Sequence, residues 1–258
     1  MVGLVVGFLA GPVAGQSKLS VTVVGGSGAP VADLKADNFT VSDSKSSHSV
    51  SAAVYKESPV DLVLLIEASA FTASQKNDIQ RIAILMVDQL GPTDRMAIYG
   101  FAEAPEVMQE FTSNKTLLVR SVPGLQFGNN VSMADSAYQV LDKVFRESVT
   151  RKVLLIISSG QDGTNRTVKD ELVEVAEKRQ VSVFAISLSG RGTFLDELTK
   201  ETAGALVSGR AINQAAKNLF TTFRGQYLLT VEGGELQAPI RVEVKGTKEK
   251  TQVSHRKE

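Results

Sequence analysis

The sequence predicts an α/β protein built on a doubly wound, mostly parallel sheet with helices on both faces. Two observations favour this class. Short, nearly continuous aliphatic runs, typical of strands covered on both faces, alternate with segments whose apolar residues recur at helical spacing. Segments with strand-like alternation precede and follow this region. The expected architecture is a three-layer domain flanked by a small N-terminal β module and a C-terminal β hairpin.

The central sheet is predicted from four aliphatic runs: VDLVLLI (60–66), MAIYGFA (96–102), KVLLIIS (152–158) and VSVFAIS (181–187). Four amphipathic helices are predicted from apolar residues three and four positions apart. Their apolar positions are Ile79, Ile82, Ala83, Met86 and Leu90; Ala134, Ala137, Tyr138, Leu141 and Phe145; Leu172, Val175 and Ala176; and Ile212, Ala216, Leu219, Phe220 and Phe223.

Helix ends are predicted from capping signals. Three pairs have the spacing of a capping box: Ser132 with Asp135, Thr167 with Asp170, and Thr193 with Asp196. Gly204 lies where a glycine commonly ends a helix.

The flanking segments are predicted to be β structure. Residues 16–58 contain three or four short alternating strands separated by turn residues. After residue 224, QYLLTV (226–231), a Gly-Gly turn and IRVEVKG (240–246) indicate a hairpin, with a last strand near residues 252–254. The predicted division is therefore 16–58 for the β module, 59–223 for the α/β domain and 224–258 for the hairpin.

Composition excludes several functions. Lys plus Arg and Asp plus Glu both number 28, so no net charge attracts the chain to nucleic acid. The absence of Cys excludes disulfides, thiolate metal sites and cysteine catalysis. Neither a GxxxxGK[ST] phosphate loop nor a GxGxxG after a strand is present, so nucleotide binding has no sequence support.

The N-terminus predicts export. Residues 1–15, MVGLVVGFLAGPVAG, are uncharged and apolar or small, too short to span a bilayer but typical of a cleaved signal peptide. The alternative is an apolar N-terminal strand. No other stretch is apolar enough to cross a membrane. The expected location is periplasmic or secreted, without a stable membrane span after cleavage.

Several segments together resemble the von Willebrand factor A (VWFA) family, and most closely the group called VWFA-related acidobacterial proteins. The segments are GAPVADLKADNFTVSD (28–43), LGPTDRMAIYGFA (90–102), FLDELTKETAGALV (194–207), and RGQYLLTV (224–231) with IRVEVKG. The resemblance implies a Rossmann-like sheet that binds ligands at the C-terminal ends of its first and fourth strands, where the strand order reverses. In this chain those are the loops after Ile66 and Ser158, joined by the loop near Asn130.

The family's divalent-metal motif is incomplete in this chain. Its Asp-x-Ser-x-Ser reads Glu67-Ala68-Ser69-Ala70-Phe71, so only Ser69 matches fully. Val131 aligns with the family's Thr, although a one-residue slip would bring Ser132 there, and Ser159 replaces the Asp after strand four. A Mg²⁺ site usually needs at least one or two carboxylates, and one Glu is a poor substitute for two Asp. We therefore expect no cofactor, with Mg²⁺ held by Glu67, Ser69 and Asp162 as the alternative.

We expect the surviving function to be non-enzymatic protein binding or scaffolding through this face, without metal, to a partner that the sequence does not identify. The predicted ligand-binding residues are Glu67, Ser69, Phe71, Asn129, Asn130, Ser159, Gln161 and Asp162. Glu67 is expected to be solvated or locally hydrogen-bonded. Phe71 is either an apolar anchor for the partner or a core residue folded onto the first helix.

Two alternatives come from other functional classes. The first is a Mg²⁺- or Mn²⁺-dependent adhesion module that uses the atypical Glu67, Ser69 and Asp162 site. The second is a serine hydrolase that uses Ser69 or Ser159, but no Gly-x-Ser-x-Gly motif or placed base supports it. The two histidines, His48 and His255, lie in a turn and near the C-terminus, and are expected to be solvated surface residues. No catalytic residue is assigned.

Overall fold

The computed structural model describes residues 15–26, 28–145, 150–161, 163, 165–190, 192–208, 212–247 and 250–258. Asp162 and the predicted signal segment, apart from Gly15, lie outside these residues. The strands are β1 (Gln16–Val24), β2 (Phe39–Ser42), β3 (Ser47–His48), β4 (Val50–Glu57), β5 (Val60–Glu67), β6 (Arg95–Phe101), β7 (Pro105–Thr112), β8 (Arg151–Ser158), β9 (Val181–Ser187), β10 (Leu206–Ser208), β11 (Gly225–Glu232), β12 (Arg241–Val244) and β13 (Gln252–Lys257). The helices are α1 (Lys76–Asp88), α2 (Lys115–Ser121), α3 (Met133–Lys143), α4 (Lys169–Arg179), α5 (Thr193–Glu201) and α6 (Ile212–Arg224).

The predicted doubly wound sheet is confirmed. Six strands lie in the order β10-β9-β8-β5-β6-β7, and all neighbours pair in parallel except β6 and β7. Every residue of β5 is buried, because helices cover both faces. Leu62, Leu64 and Ile66 pack with α1, α2 and α6, whereas Val63 and Leu65 pack with α3, α4 and α5. The central strand is therefore a continuous aliphatic run, as parallel sheets require.

Two elements were not predicted. β7 is an antiparallel edge strand whose residues are all exposed or only partly buried, so it lacks the aliphatic run of the other strands. α2 has only seven residues, too few for the apolar repeat to show. Its start is set by Asn114, whose side chain accepts hydrogen bonds from the amides of Thr116 and Leu117.

The predicted helix caps are confirmed only in part: Ser132 is the N-cap residue of α3, but its side chain makes no capping hydrogen bond. Asp135 does not complete a capping box with Ser132, because its carboxylate accepts from the amides of Arg166 and Thr167. α4 and α5 have Val168 and Gly192 at their N-caps rather than the expected residues. Tyr138, assigned to the apolar face of α3, is exposed.

Gly204 is required for a reason other than the one predicted. The residue with positive φ after α5 is Ala203, at 55°. A Cβ on Gly204 would lie only 1.7 Å from the carbonyl oxygen of Val183. Gly204 therefore allows a close approach of two backbones instead of ending the helix in a left-handed conformation.

The two ends of the chain fold together. A four-stranded antiparallel sheet has the order β13-β1-β11-β4, and a three-stranded sheet has the order β12-β2-β3. β11 and β12, the expected arms of a hairpin, pair with β1 and β4 and with β2, respectively, rather than with each other. The reason is a shared core: β12 supplies Val242 and β11 supplies Tyr227 and Leu229 to one apolar cluster between the two sheets.

The other face of the four-stranded sheet is polar and docks against the α/β domain. Thr22 Oγ1 donates to the carbonyl of Ala203 at 2.8 Å, and Ser254 Oγ donates to the carbonyl of Gly204. Arg151 Nη1, at the start of β8, donates to Gln226 Oε1 at 2.9 Å. Both faces of this sheet are thus partly covered, one by an apolar core and one by polar contacts. Within the described residues, no helix combines the length and apolarity needed to span a bilayer.

Candidate functional site

The candidate site lies where β5 and β8 end side by side. Ile66 pairs with Ile157, so the last residues of the two strands, Glu67 and Ser158, are neighbours at the C-terminal edge of the sheet. α1 follows β5 on one face, and α4 follows β8 on the other. The edge is therefore the switch point of the doubly wound sheet, the place where such folds open a crevice.

Glu67 is fully buried and hydrogen-bonded to serines from both loops. Its Oε1 accepts from Ser69 Oγ at 2.5 Å and from Ser159 Oγ at 3.0 Å. Its Oε2 accepts from Ser158 Oγ at 2.7 Å, from Ser159 N at 2.7 Å and from Ser159 Oγ at 2.9 Å. Of the two expectations for Glu67, solvation is wrong and a local hydrogen bond is present, from Ser69. Its other partners, Ser158 and Ser159, lie 91 and 92 residues away in sequence.

The same three hydroxyls also accept hydrogen bonds from backbone amides two residues further along the chain. Phe71 N donates to Ser69 Oγ at 3.1 Å, Gly160 N donates to Ser158 Oγ at 2.9 Å, and Gln161 N donates to Ser159 Oγ at 3.2 Å. Each serine thus joins the Glu67 carboxylate to the turn of its own loop. We call Glu67, Ser69, Ser158 and Ser159 the carboxylate–serine cluster.

Thr72 was not singled out from the sequence, but it supports the first loop. Its side chain is buried, and its Oγ1 donates to the carbonyl of Glu67 at 3.0 Å. The same oxygen accepts from the amide of Ser69 at 3.2 Å. The local signal is only a Thr three residues after Ser69, a spacing common in turns.

The third loop is joined to the first by backbone contacts. Gly128 N donates to the carbonyl of Ala68 at 2.9 Å. Val131, at the position that corresponds to the family's Thr, is buried and supplies no oxygen. Asn130 Nδ2 donates to Glu103 Oε1 at 2.6 Å on the exposed side of this loop.

Asp135 and Asn165 connect the third loop to the loop before α4. The side-chain oxygen of Asn165 accepts from the amides of Ala134 and Asp135, which caps α3. In return, Asp135 accepts from the amides of Arg166 and Thr167 at 3.0 and 2.7 Å. Burial raises the pKa of Asp135, but the hydrogen bonds from Thr167 and the charge of Arg166 outweigh it, and the pKa lies below its usual value.

The predicted ligand-binding residues separate into two layers. Glu67, Ser69 and Ser159 form the buried layer. Asn129, Asn130 and Gln161 are exposed above it, and the Phe71 side chain is 55% exposed, so Phe71 is not a core residue. Phe71, Asn129 and Asn130 line a cavity of about 750 Å³ that extends to Asp135, Tyr138 and Arg166. We call Phe71, Asn129, Asn130 and Gln161 the exposed rim.

The described residues offer little metal or catalytic chemistry. Among them, no three His, Cys, Asp or Glu side chains lie close enough to hold a metal. Both histidines are distant from the cluster, in β3 and β13, and are less solvated than expected: His48 pairs with Asp43 at 3.1 Å and is 10% exposed. The hydroxyls of Ser69 and Ser159 both donate to the buried Glu67 carboxylate.

Comparison with known proteins identifies the fold. The sequence profile of the von Willebrand factor type A domain matches residues 61–200. No curated protein sequence matches the chain.

Three solved structures illustrate the likeness. A von Willebrand factor type A protein from Catenulispora acidiphila is 9% identical with a TM-score of 0.55, and the match covers 95% of this chain and 75% of that one. The mussel byssus proximal thread matrix protein 1, solved with zinc in its MIDAS motif, is 14% identical with a TM-score of 0.58, covering 70% and 50%. An aerotolerance-related membrane protein from Bacteroides fragilis is 12% identical with a TM-score of 0.53, covering 64% and 98%.

Replacing Glu67 tests whether the carboxylate–serine cluster holds the two loops. Glu67→Ala removes the shared acceptor and leaves buried hydroxyls and an amide unpaired, so we expect the free energy of unfolding to fall by about 2–4 kcal/mol. Glu67→Gln should give a smaller loss, because it keeps the volume and one oxygen. Urea denaturation measures both.

The matched control is Glu106→Ala on the exposed edge strand β7. It should change the free energy of unfolding by no more than about 0.5 kcal/mol. A Glu67→Ala variant as stable as this control would show that the cluster does not join the loops.

Proposed function

The chain belongs to the von Willebrand factor type A domain family, and we propose that it is a non-enzymatic protein-binding module that uses its exposed rim without a bound metal. The observation that carries the proposal is the closure of Glu67 by three serines. That closure removes the metal chemistry of the family's ligand site but leaves the surface above it open. The rim is then the part of the site available to a partner.

The residues present do not fit a divalent ion. A Mg²⁺ ion needs a near-octahedral set of oxygens, usually with one or two carboxylates and several waters. Among the described residues, the one carboxylate at this end of β5 and β8, that of Glu67, already accepts contacts from Ser69, Ser158 and Ser159, and its side chain is fully buried. An ion would have to displace these hydroxyls. We therefore propose that the motif is degenerate and that its oxygens now serve the structure.

The exposed rim combines one large apolar side chain with amide groups. Phe71 stands where the resemblance implies a small hydroxyl, and it projects into solvent beside Asn129 and Asn130. An aromatic anchor surrounded by polar groups is typical of protein interfaces. The adjoining cavity, with Asp135 and Arg166 on its wall, offers space for side chains of the partner.

Export is the cellular part of the proposal. It rests on the apolar segment 1–15 and on the resemblance to VWFA-related acidobacterial exported proteins. We expect mass spectrometry of the native protein to find a mature N-terminus near Gln16 or Ser17, in the periplasm or medium. Recovery of the full-length chain from the cytoplasm would contradict export.

Chelation tests metal independence. An ion that binds only the folded state raises the stability of that state by mass action. Since we propose that no ion binds, we expect EDTA and added Mg²⁺ or Mn²⁺ to leave the melting temperature unchanged. Calorimetry with the same ions should show no saturable heat. A fall of several degrees in EDTA that Mg²⁺ reverses would instead support the adhesion module based on Glu67, Ser69 and Asp162.

Phe71 tests the partner surface. Phe71→Ala should change the free energy of unfolding by less than about 1 kcal/mol, because the side chain is exposed, and should weaken partner capture at least about tenfold. The matched control is Leu117→Ala, which truncates another exposed apolar side chain on α2. A photo-crosslinking residue at 71 should capture the partner from the native envelope fraction, and the same residue at 117 should not.

The alternatives predict other results. Equal crosslinking at both positions, or full partner binding by a well-folded variant changed at Phe71, Asn130 and Gln161, would place the interface elsewhere. A loss of about 3–5 kcal/mol in Phe71→Ala, the size typical of a core aromatic, would contradict the exposed position of its side chain.

A further inference from the structure

A cavity of about 320 Å³ lies at the opposite end of the central sheet from the exposed rim. It is an open cavity that lies between the start of β8 and the polar face of the four-stranded flanking sheet. Its charged lining residues are Lys56, Arg151, Lys152, Arg256 and Glu258, with Gln226 beside them. We call this space the basal cavity. Four cationic side chains and one carboxylate give its lining an excess of positive charge.

Several donors in the basal cavity are shielded from solvent and have no hydrogen-bond partner among the described residues. They are Arg151 Nε and Nη2, Arg256 Nε and Nη1, and Gln226 Nε2. Nε and Nη2 form one edge of a guanidinium, the edge that binds two oxygens of a phosphate or carboxylate at once. Arg256 is only 5% exposed, and its Nη2 donates to Glu258 at 3.1 Å.

The guanidinium groups of Arg151 and Arg256 also repel each other electrostatically. Burial, reinforced by the charge of Arg256, lowers the pKa of Arg151 to about 9. Burial likewise lowers the pKa of Arg256, although Glu258 acts against this. Shielded donors without acceptors cost free energy, and neighbouring like charges add to that cost. A bound anion would reduce both costs.

We infer that the basal cavity is a binding site for a phosphate group, either free phosphate or the phosphate of a small ester. Arg151 would bind two of its oxygens through the shielded Nε and Nη2 edge, which has no partner among the described residues, and Arg256 and Gln226 would donate to the others. A phosphate carries about 1.5–2 negative charges at neutral pH, which matches this lining better than the single charge of a carboxylate. The cavity volume is at the lower end of ligand pockets, which begin at about 300 Å³.

The inference is independent of the exposed rim and of the proposed protein partner. The test is calorimetric titration of the full chain with inorganic phosphate, at an ionic strength held constant with chloride, together with the melting temperature. We expect saturable 1:1 binding and a phosphate-dependent rise in melting temperature that chloride does not reproduce. Glycerol phosphate in a second arm distinguishes an ester from the free ion, according to which binds more tightly.

Arg151→Gln should weaken phosphate binding at least about tenfold, since it removes a charged bidentate donor. Lys56→Gln should weaken phosphate binding about threefold, because it removes one positive charge from the lining. Lys56 is exposed, so we expect this variant to fold even if Arg151→Gln does not. The matched control is Lys45→Gln, an exposed lysine in the turn between β2 and β3, which should bind like the unmodified protein.

Three results would overturn the inference. The first is no saturable binding by the unmodified protein. The second is phosphate binding by both Lys56→Gln and a folded Arg151→Gln variant that is as tight as phosphate binding by Lys45→Gln. The third is succinate binding more tightly than either phosphate ligand, which would assign the cavity to carboxylates.

Discussion

The ends of β5 and β8 depend on a single buried carboxyl group. Taking a carboxylate out of water is costly unless hydrogen-bond donors replace the water. Ser69, Ser158 and Ser159 supply those donors from two different loops, and the same hydroxyls accept from the amides that shape each turn. Because the donors come from both loops, the Glu67 carboxylate links the two loops to each other. The rim, the third loop and the adjoining cavity are all built on this arrangement.

The extra methylene of glutamate explains why a side chain at this position can turn inward. It extends the carboxylate from the end of β5 far enough to reach Ser158, the last residue of β8, and the amide of Ser159, which follows it. Two contacts hold the backbone at Phe71, so that its side chain stays outside the core. The amide of Phe71 donates to Ser69 Oγ, and Thr72 Oγ1 donates to the carbonyl of Glu67. A polar cluster below therefore fixes the backbone that presents an apolar side chain above.

The sequence predicts best the features that depend on local pattern. β5, β6, β8 and β9 are covered on both faces, so their aliphatic runs identify them without knowledge of their neighbours. The partners of a strand are not local: β11 alternates as a hairpin arm would, yet it pairs with β1 and β4. Alternation specifies which side chains face the core but not which strand lies alongside.

The candidate site was predicted in the same uneven way. Topology places the loops after Ile66 and Ser158 together, so the location follows from the order of elements. The burial of Glu67 could not be predicted, because it depends on serines about 90 residues away whose hydroxyls could equally face solvent. Asn165 and Asp135 show the same limit, since each caps a segment about 30 residues distant instead of its own turn.

The flanking sheet shows why polar alternation is an incomplete guide to exposure. Ser20 and Thr22 alternate with apolar residues in β1, and Ser254 and Arg256 share one face of β13; both patterns are typical of a solvated face, yet all four residues are buried. They are buried because this face docks on the α/β domain, where Thr22 and Ser254 find the backbone carbonyls of Ala203 and Gly204. The same segment passes close to β9, where Gly204 leaves room for the carbonyl of Val183. The hydroxyls at this interface are thus satisfied, those of Thr22 and Ser254 by backbone carbonyls and that of Ser20 by the Glu258 carboxylate. The guanidiniums of Arg151 and Arg256, by contrast, each keep shielded N–H groups without an acceptor among the described residues. The polar groups of this docked face therefore differ: its hydroxyls are satisfied within the fold, whereas each arginine makes one hydrogen bond and keeps further N–H groups that a bound anion would satisfy.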